Sequence, residues 1–196
     1  MFTGIIETTG TVTRINTSGT NKIFTIQSVI SNELKIDQSL AHDGVCLTVI
    51  ALGEGTLTVE AIEETLNKTT LGDWEVGTIV NLERCMPANG RFDGHIVQGH
   101  VDGTGICTMR EDKDGSWIFA FSYPQNPNHL TVDKGSICIN GVSLTVVNST
   151  FNSFSVAIIP YTFQHTNFGQ FQVGQKVNLE FDIIGKYISR LMELKG

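Results

Sequence analysis

Five side chains in this 196-residue chain could do chemistry that an ordinary surface residue does not: Cys46, His95, His100, Ser143 and Asp182. A serine hydroxyl is a weak nucleophile until an imidazole takes its proton, and a carboxylate can orient that imidazole. A thiol can add to an electrophilic ring or simply pack against it. Each residue also has a plain structural reading. Ser143 follows Asn140-Gly141 and suits a turn serine bonded to backbone. His100 suits a surface loop, Asp182 a solvated strand end, Cys46 a buried inert thiol, and His95 a structural role. A Ser-His-Asp hydrolase is disfavoured, because the serine lies in Gly-Val-Ser-Leu-Thr rather than G-x-S-x-G and no helix follows it. His95 and His100 lack the HExxH helix or clustered cysteines of a zinc site, so no metal is expected. Neither a P-loop nor a GxGxxG is present.

The elements that must position these residues come in two copies. Asp43-Gly-Val-Cys-Leu-Thr-Val49 matches Asn140-Gly-Val-Ser-Leu-Thr-Val146, with five of seven residues identical at an offset of 97. At the same offset Thr65 to Glu83 matches Thr162 to Glu180 in nine of nineteen positions, where average usage gives about one or two by chance. Gly4 and Gly10 answer Gly99 and Gly105 at an offset of 95. The chain therefore reads as two homologous domains, 1–93 and 94–183, joined by the turn-rich stretch Pro87 to Gly94. Within each half, short β-branched or alternating runs predict about six strands between Gly-rich turns, which indicates a small closed antiparallel barrel. Single helical turns are expected at Asn67 to Thr70 and Gln164 to Asn167. Beyond the second repeat, Ile184, Tyr187, Ile188 and Leu191 fall at i, i+3, i+4, i+7, an amphipathic helix over 184–196 that ends near Gly196. That helix either caps its own barrel or joins chains.

The repeats also supply an internal comparison. Where they agree, fold and ligand shape explain the residue; where reactive side chains differ, function has diverged. Cys46 becomes Ser143, Ile5 becomes His100, and Cys85 becomes Asp182. The net charge of −7 argues against a nucleic-acid partner, and no apolar run reaches membrane-spanning length. Met1 to Gly10 lacks a signal-peptide pattern, and the four cysteines form no CxxC pair. A reduced, cytoplasmic protein is expected.

Several stretches taken in order resemble the riboflavin synthase family of lumazine-binding repeats. They are Met1-Phe-Thr-Gly-Ile-Ile6, Gly94-His-Ile-Val-Gln-Gly-His-Val-Asp102, the paired loops Gly44 to Thr48 and Asn140 to Thr145, Ile159-Pro-Tyr-Thr162, and Val177 to Asp182. The resemblance implies an all-β fold of two tandem six-stranded antiparallel Greek-key barrels plus a C-terminal trimerisation helix. It implies a cofactor-free transferase that dismutates two molecules of 6,7-dimethyl-8-ribityllumazine, bound together at one site, into riboflavin and 5-amino-6-(D-ribitylamino)uracil. It implies a homotrimer with the active site between subunits, and lumazine synthase as a candidate partner. By motif position, the first barrel would hold ligand through Gly4, Ile5, Ile6, Ser39, Cys46, Leu47, Thr48, Glu60, Ala61 and Ile62. The second would use Gly99, His100, Val101, Lys134, Ser143, Leu144 and Thr145, with a strand of Ala157, Ile158, Ile159, Pro160, Tyr161 and Thr162. Ser143, His100 and Asp182 form the expected proton-handling group, with Cys46 in the facing pocket. The rival reading is a non-catalytic antenna-type relative that only binds a lumazine or flavin. It is disfavoured because the reactive set is present in this chain.

Overall fold

The computed structural model describes residues 1–194, so Lys195 and Gly196, at the expected end of the C-terminal helix, lie outside the described residues. Strands β1 (Thr8–Ser18), β2 (Asn21–Gln27), β3 (Ser39–His42), β4 (Val45–Gly53), β5 (Thr56–Ala61) and β6 (Ile79–Arg84) close into a barrel in the order β1-β2-β5-β4-β3-β6. Strands β7 (Gly103–Asp112), β8 (Trp117–Ser122), β9 (Ser136–Ile139), β10 (Val142–Val147), β11 (Ser153–Ile158) and β12 (Lys176–Phe181) repeat the same ring. The sequence repeat is thus a fold repeat, and closure leaves neither sheet with a free edge.

Alternation sorts the side chains. On β4, Val45, Leu47 and Val49 are buried inside the barrel, while Cys46, Thr48 and Ile50 lie on its outer face. The second core is richer in aromatics: Phe119, Phe121, Phe154, Phe168 and Phe171 are all essentially inaccessible. Each such ring contributes roughly 1.5–3 kcal/mol by burial.

Helices α1 (Glu63–Lys68) and α2 (Pro160–His165) follow β5 and β11. Each leads into a 3-10 turn, Thr70–Asp73 or Asn167–Gln170, capped by a threonine hydroxyl that accepts from Leu71 N or Phe168 N. Both helices begin earlier than the helical turns read from the sequence. Of the expected strand Ala157 to Thr162, only Ala157 and Ile158 are on β11; Ile159 is the N-cap of α2, and Pro160, Tyr161 and Thr162 stand on that helix. Proline's fixed φ and missing N–H suit a first helical turn and would cost a ladder bond in a strand. Helix α3 (Ile183–Glu193) starts at Asp182, whose carboxylate caps it by accepting from Ile184 N at 3.0 Å.

The barrels meet around a local twofold. The hairpin turns Asp43-Gly44 and Asn140-Gly141 have positive φ at both positions, as a two-residue I′ turn requires. They face each other so closely that a Cβ on Gly44 would sit 2.8 Å from Gly141 N. A buried amide network spans the junction. Asn81 Nδ2 donates to Asn140 O (2.9 Å), and Asn178 Nδ2 donates to Asp43 O (3.0 Å). The Asp43 carboxylate accepts from Asn81 N and Asn167 Nδ2.

The repeat breaks its own symmetry here at two titratable positions. Burial pushes Asp43 up to about 8, so it holds its proton in the fold and ionises when unfolded. Its stabilising effect is complete below the ordinary carboxylate range and is lost as pH rises through 8. Burial also holds His42 down at about 4 with its Nε2 unpartnered, so stability is lost as pH falls from 6.5 toward 4. The equivalent residues in the second half are Asn140 and Ile139. Asp43→Asn should therefore raise Tm at pH 8–9, and His42→Ile should raise it at pH 4–5. Each gain should be roughly 5 °C or more, the scale of a few kcal/mol in a chain of this size. Melting curves across pH check both, and a variant that follows the wild-type pH profile contradicts the corresponding assignment.

Candidate active site

The leading segments of the two repeats cross over. Phe2 and Val97 pair in antiparallel fashion through two backbone hydrogen bonds of 2.7 and 3.1 Å. From that pairing Gly4 reaches the second barrel, where its carbonyl accepts from Ser143 N at 2.8 Å. Gly99 reaches the first barrel, where its carbonyl accepts from Cys46 N at 2.9 Å. Both glycines have φ near +78°, and a Cβ on either would lie within 2.7 Å of the Ser143 or Cys46 Cβ. No other residue fits this approach without displacing the strand. The crossing continues two residues on: Ile6 packs against the second core and Val101 against the first. Gly4 and Ile6 therefore stand against the second barrel, and Gly99 and Val101 against the first, opposite to their order along the chain.

This exchange redistributes the reactive residues. The imidazole beside Ser143 is that of His95, with Nδ1 2.6 Å from Ser143 Oγ. The expected pairing of Ser143 with His100 is not made. His100 is exposed, and its backbone N–H donates to Glu180 one position beyond the Gly99 that covers Cys46. Burial lowers the pKa of His95, opposed by the nearby negative charge of Asp182. A neutral His95 can accept the Ser143 proton or that of a bound water. Asp182 serves both as cap of α3 and as electrostatic neighbour of His95. His95 escapes the repeat comparison because an offset of 95 places its counterpart before Met1.

Cys46 is half-buried, and burial raises its thiol pKa, with the Ser39 hydroxyl pulling the other way. A protonated thiol is a poor nucleophile, which favours packing against a ring over addition to it. Ser39 pairs with Thr48 across β3 and β4, so Cys46, Thr48 and Ser39 share one outer face. Lys134 heads β9 with φ 66° and an exposed side chain, where the first repeat has Asp37. Thr145 lies on the equivalent outer face of β10, while Leu47 and Leu144 pack toward the cores. Glu60 accepts from Asn21 Nδ2 at 2.9 Å beside buried Ala61. Ile5 and Ser39 also border an open cleft of about 650 Å³ along the first barrel, with Glu83, Arg84 and Cys85. Ile62, Ile159 and Tyr161 stand 54%, 59% and 68% exposed around these faces, so a single chain leaves apolar surface uncovered where ligand is expected.

The sequence reading passed over two residues that organise this crossing. Glu83 and Glu180, the last residues of the shared Val-Asn-Leu-Glu runs, bond the two leading segments. Being identical in both halves, they read as fold rather than site.

The lumazine binding domain matches the chain twice, over residues 3–85 and 98–182. Riboflavin synthase of Actinobacillus pleuropneumoniae is 42% identical over 98% of this chain and 90% of its own length. Riboflavin synthase of Bacillus subtilis (strain 168) is 42% identical, again covering 98% of this chain and 90% of its own length. In structure the chain is similar to LumP crystallised with riboflavin, at a TM-score of 0.86 and 22% identity over 92% of this chain and 99% of that one.

Proposed function

The chain belongs to the lumazine binding domain family and carries out the riboflavin synthase reaction, and from that premise we propose how its residues divide the work. As a transferase it moves a four-carbon unit between two molecules of 6,7-dimethyl-8-ribityllumazine, yielding riboflavin and 5-amino-6-(D-ribitylamino)uracil. The donor's ring methyl must lose a proton, which requires a base close by. The other ring must be activated by an added nucleophile or hydroxide. Stacking the two rings supplies much of the rate, because the entropy of bringing them together is lost on binding rather than at reaction.

The observation that carries the assignment is the 2.6 Å contact between His95 and Ser143 on the outer face of the second barrel. Ser143 and His95 move the protons there, with Asp182 setting the basicity of the imidazole. Cys46, Thr48, Ser39, Gly99, His100 and Val101 hold the other lumazine against the first barrel. Lys134, Thr145, Gly4 and Ile6 serve the second. Exposed Ile62, Ile159 and Tyr161 fit a site finished by a neighbouring chain, and the open apolar face of α3 fits a trimer. Four free thiols fit a cytoplasmic setting, and no helix among the described residues is long and apolar enough to cross a membrane.

Incubating the protein with 6,7-dimethyl-8-ribityllumazine and following riboflavin absorbance tests the assignment. Riboflavin and the pyrimidine should appear in equal amounts with no added cofactor. Tight lumazine binding without turnover would return the chain to the non-catalytic binding class.

A further inference from the structure

The two crossing glycines are held by carboxylates, and each carboxylate belongs to the barrel opposite the strand on which its glycine lies. Glu180, on β12 of the second barrel, accepts from Gln98 N at 2.7 Å, Gly99 N at 2.9 Å and His100 N at 2.9 Å. That triple bond network fixes the residue that lies on Cys46 of the first barrel. Glu83, on β6 of the first barrel, accepts from Thr3 N at 2.6 Å, Thr3 Oγ1 at 2.8 Å and Gly4 N at 3.0 Å. It fixes the residue that lies on Ser143 of the second. Both glutamates are almost fully buried, and among the described residues no lysine or arginine forms a salt bridge with either. Backbone N–H groups meet Glu180, and backbone N–H groups with the Thr3 hydroxyl meet Glu83, an arrangement that fixes a segment's position more tightly than neutral hydrogen bonds do.

We propose that Glu83 and Glu180 are positioning residues, each setting the geometry of the opposite barrel's site, so that the two ligand sites of one chain are linked crosswise. The proposal rests on Cys46 and Ser143 marking those two sites. Its test reads geometry rather than turnover. The full-length protein is treated with iodoacetamide, and alkylation of Cys46 and Cys85 is followed separately by peptide mass spectrometry, with and without riboflavin.

Glu180→Gln should speed Cys46 alkylation about ten-fold, the scale set by losing one charge-assisted hydrogen bond. Cys85, on the same barrel as Cys46, should keep its wild-type rate in that variant. Glu83→Gln, although it alters the barrel that carries Cys46, should leave the Cys46 rate within two-fold, roughly the scatter expected when no contact is lost. A Cys46 rate that follows Glu83→Gln and ignores Glu180→Gln overturns the proposal, and so does an equal response to both. If Glu180→Gln does not fold, Glu180→Asp carries the same measurement, since its shorter side chain withdraws the oxygens from the three donors. Riboflavin protection of Cys46 tests separately whether that residue marks a ligand site, so the two failures are distinguishable.

Discussion

Ser143→Ala is expected to lower kcat roughly 10²-fold while riboflavin binding changes little, the usual scale for losing one general acid–base group. His95→Ala should cost about as much, and the double variant little more than either single one, because two residues that act as a unit are not additive. The pH dependence separates this pair from a merely structural one. His95 must be neutral to accept a proton, and burial holds its pKa below the ordinary 6.5. The acid limb of kcat/KM should therefore lie below pH 6.5. Asp182 raises the His95 pKa, so Asp182→Asn should move that limb further toward acid. The limb is read from initial rates between pH 4.5 and 8. A limb that moves toward neutrality in Asp182→Asn, or a Ser143→Ala enzyme with wild-type kcat, would remove this pair from the chemistry. The proton transfer would then fall to Cys46, His100 or the substrates themselves.

With α3 joining chains as proposed, deleting residues 184–196 is expected to leave monomers that retain their fold and lose roughly 10²-fold or more in turnover, because two lumazines would no longer be held together. Helix α3 touches its own chain through few polar contacts. Lys186 pairs with Asp102 at 2.6 Å, and Ser189 bonds Asn128. Its remaining face exposes Ile184, Tyr187, Ile188, Leu191 and Met192, each more than half accessible. Apolar surface of that extent on a helix with so little to hold it calls for a partner. Asp182 stays in the truncated chain, so the His95 environment is retained. Light scattering gives the mass, and the riboflavin assay gives the rate. A truncated protein that is monomeric and fully active would show that one chain suffices and that the helix only covers its own barrel.

Much of this molecule was legible in its residues. The offset of 97 between Asp43–Val49 and Asn140–Val146 establishes two copies of one fold, because identical turn and strand patterns must close identically. Cys46, Leu47, Ser143 and Leu144 all stood as expected ligand contacts; strand alternation in the closed barrels turns only Cys46 and Ser143 outward and sends Leu47 and Leu144 toward the cores. The Asp-Gly and Asn-Gly turns and the α3 stripe are likewise local, set by φ preference and by helical period.

Where the leading segments go was not local. Nothing in Met1 to Ile6 or Gly94 to Val101 says which barrel each will lie on; that follows from the Phe2–Val97 pairing and from two glutamates far along the chain. The choice of His95 over His100 beside Ser143 comes from the same crossing. It brings residues 48 positions apart within 2.6 Å, while the repeat comparison that singled out His100 matches positions, not neighbours. Sequence period reports what each residue does within its own strand or helix. Which side chains meet across the two barrels is decided by packing: two glutamates bond the leading segments, and two glycines leave the room for them to lie on Cys46 and Ser143.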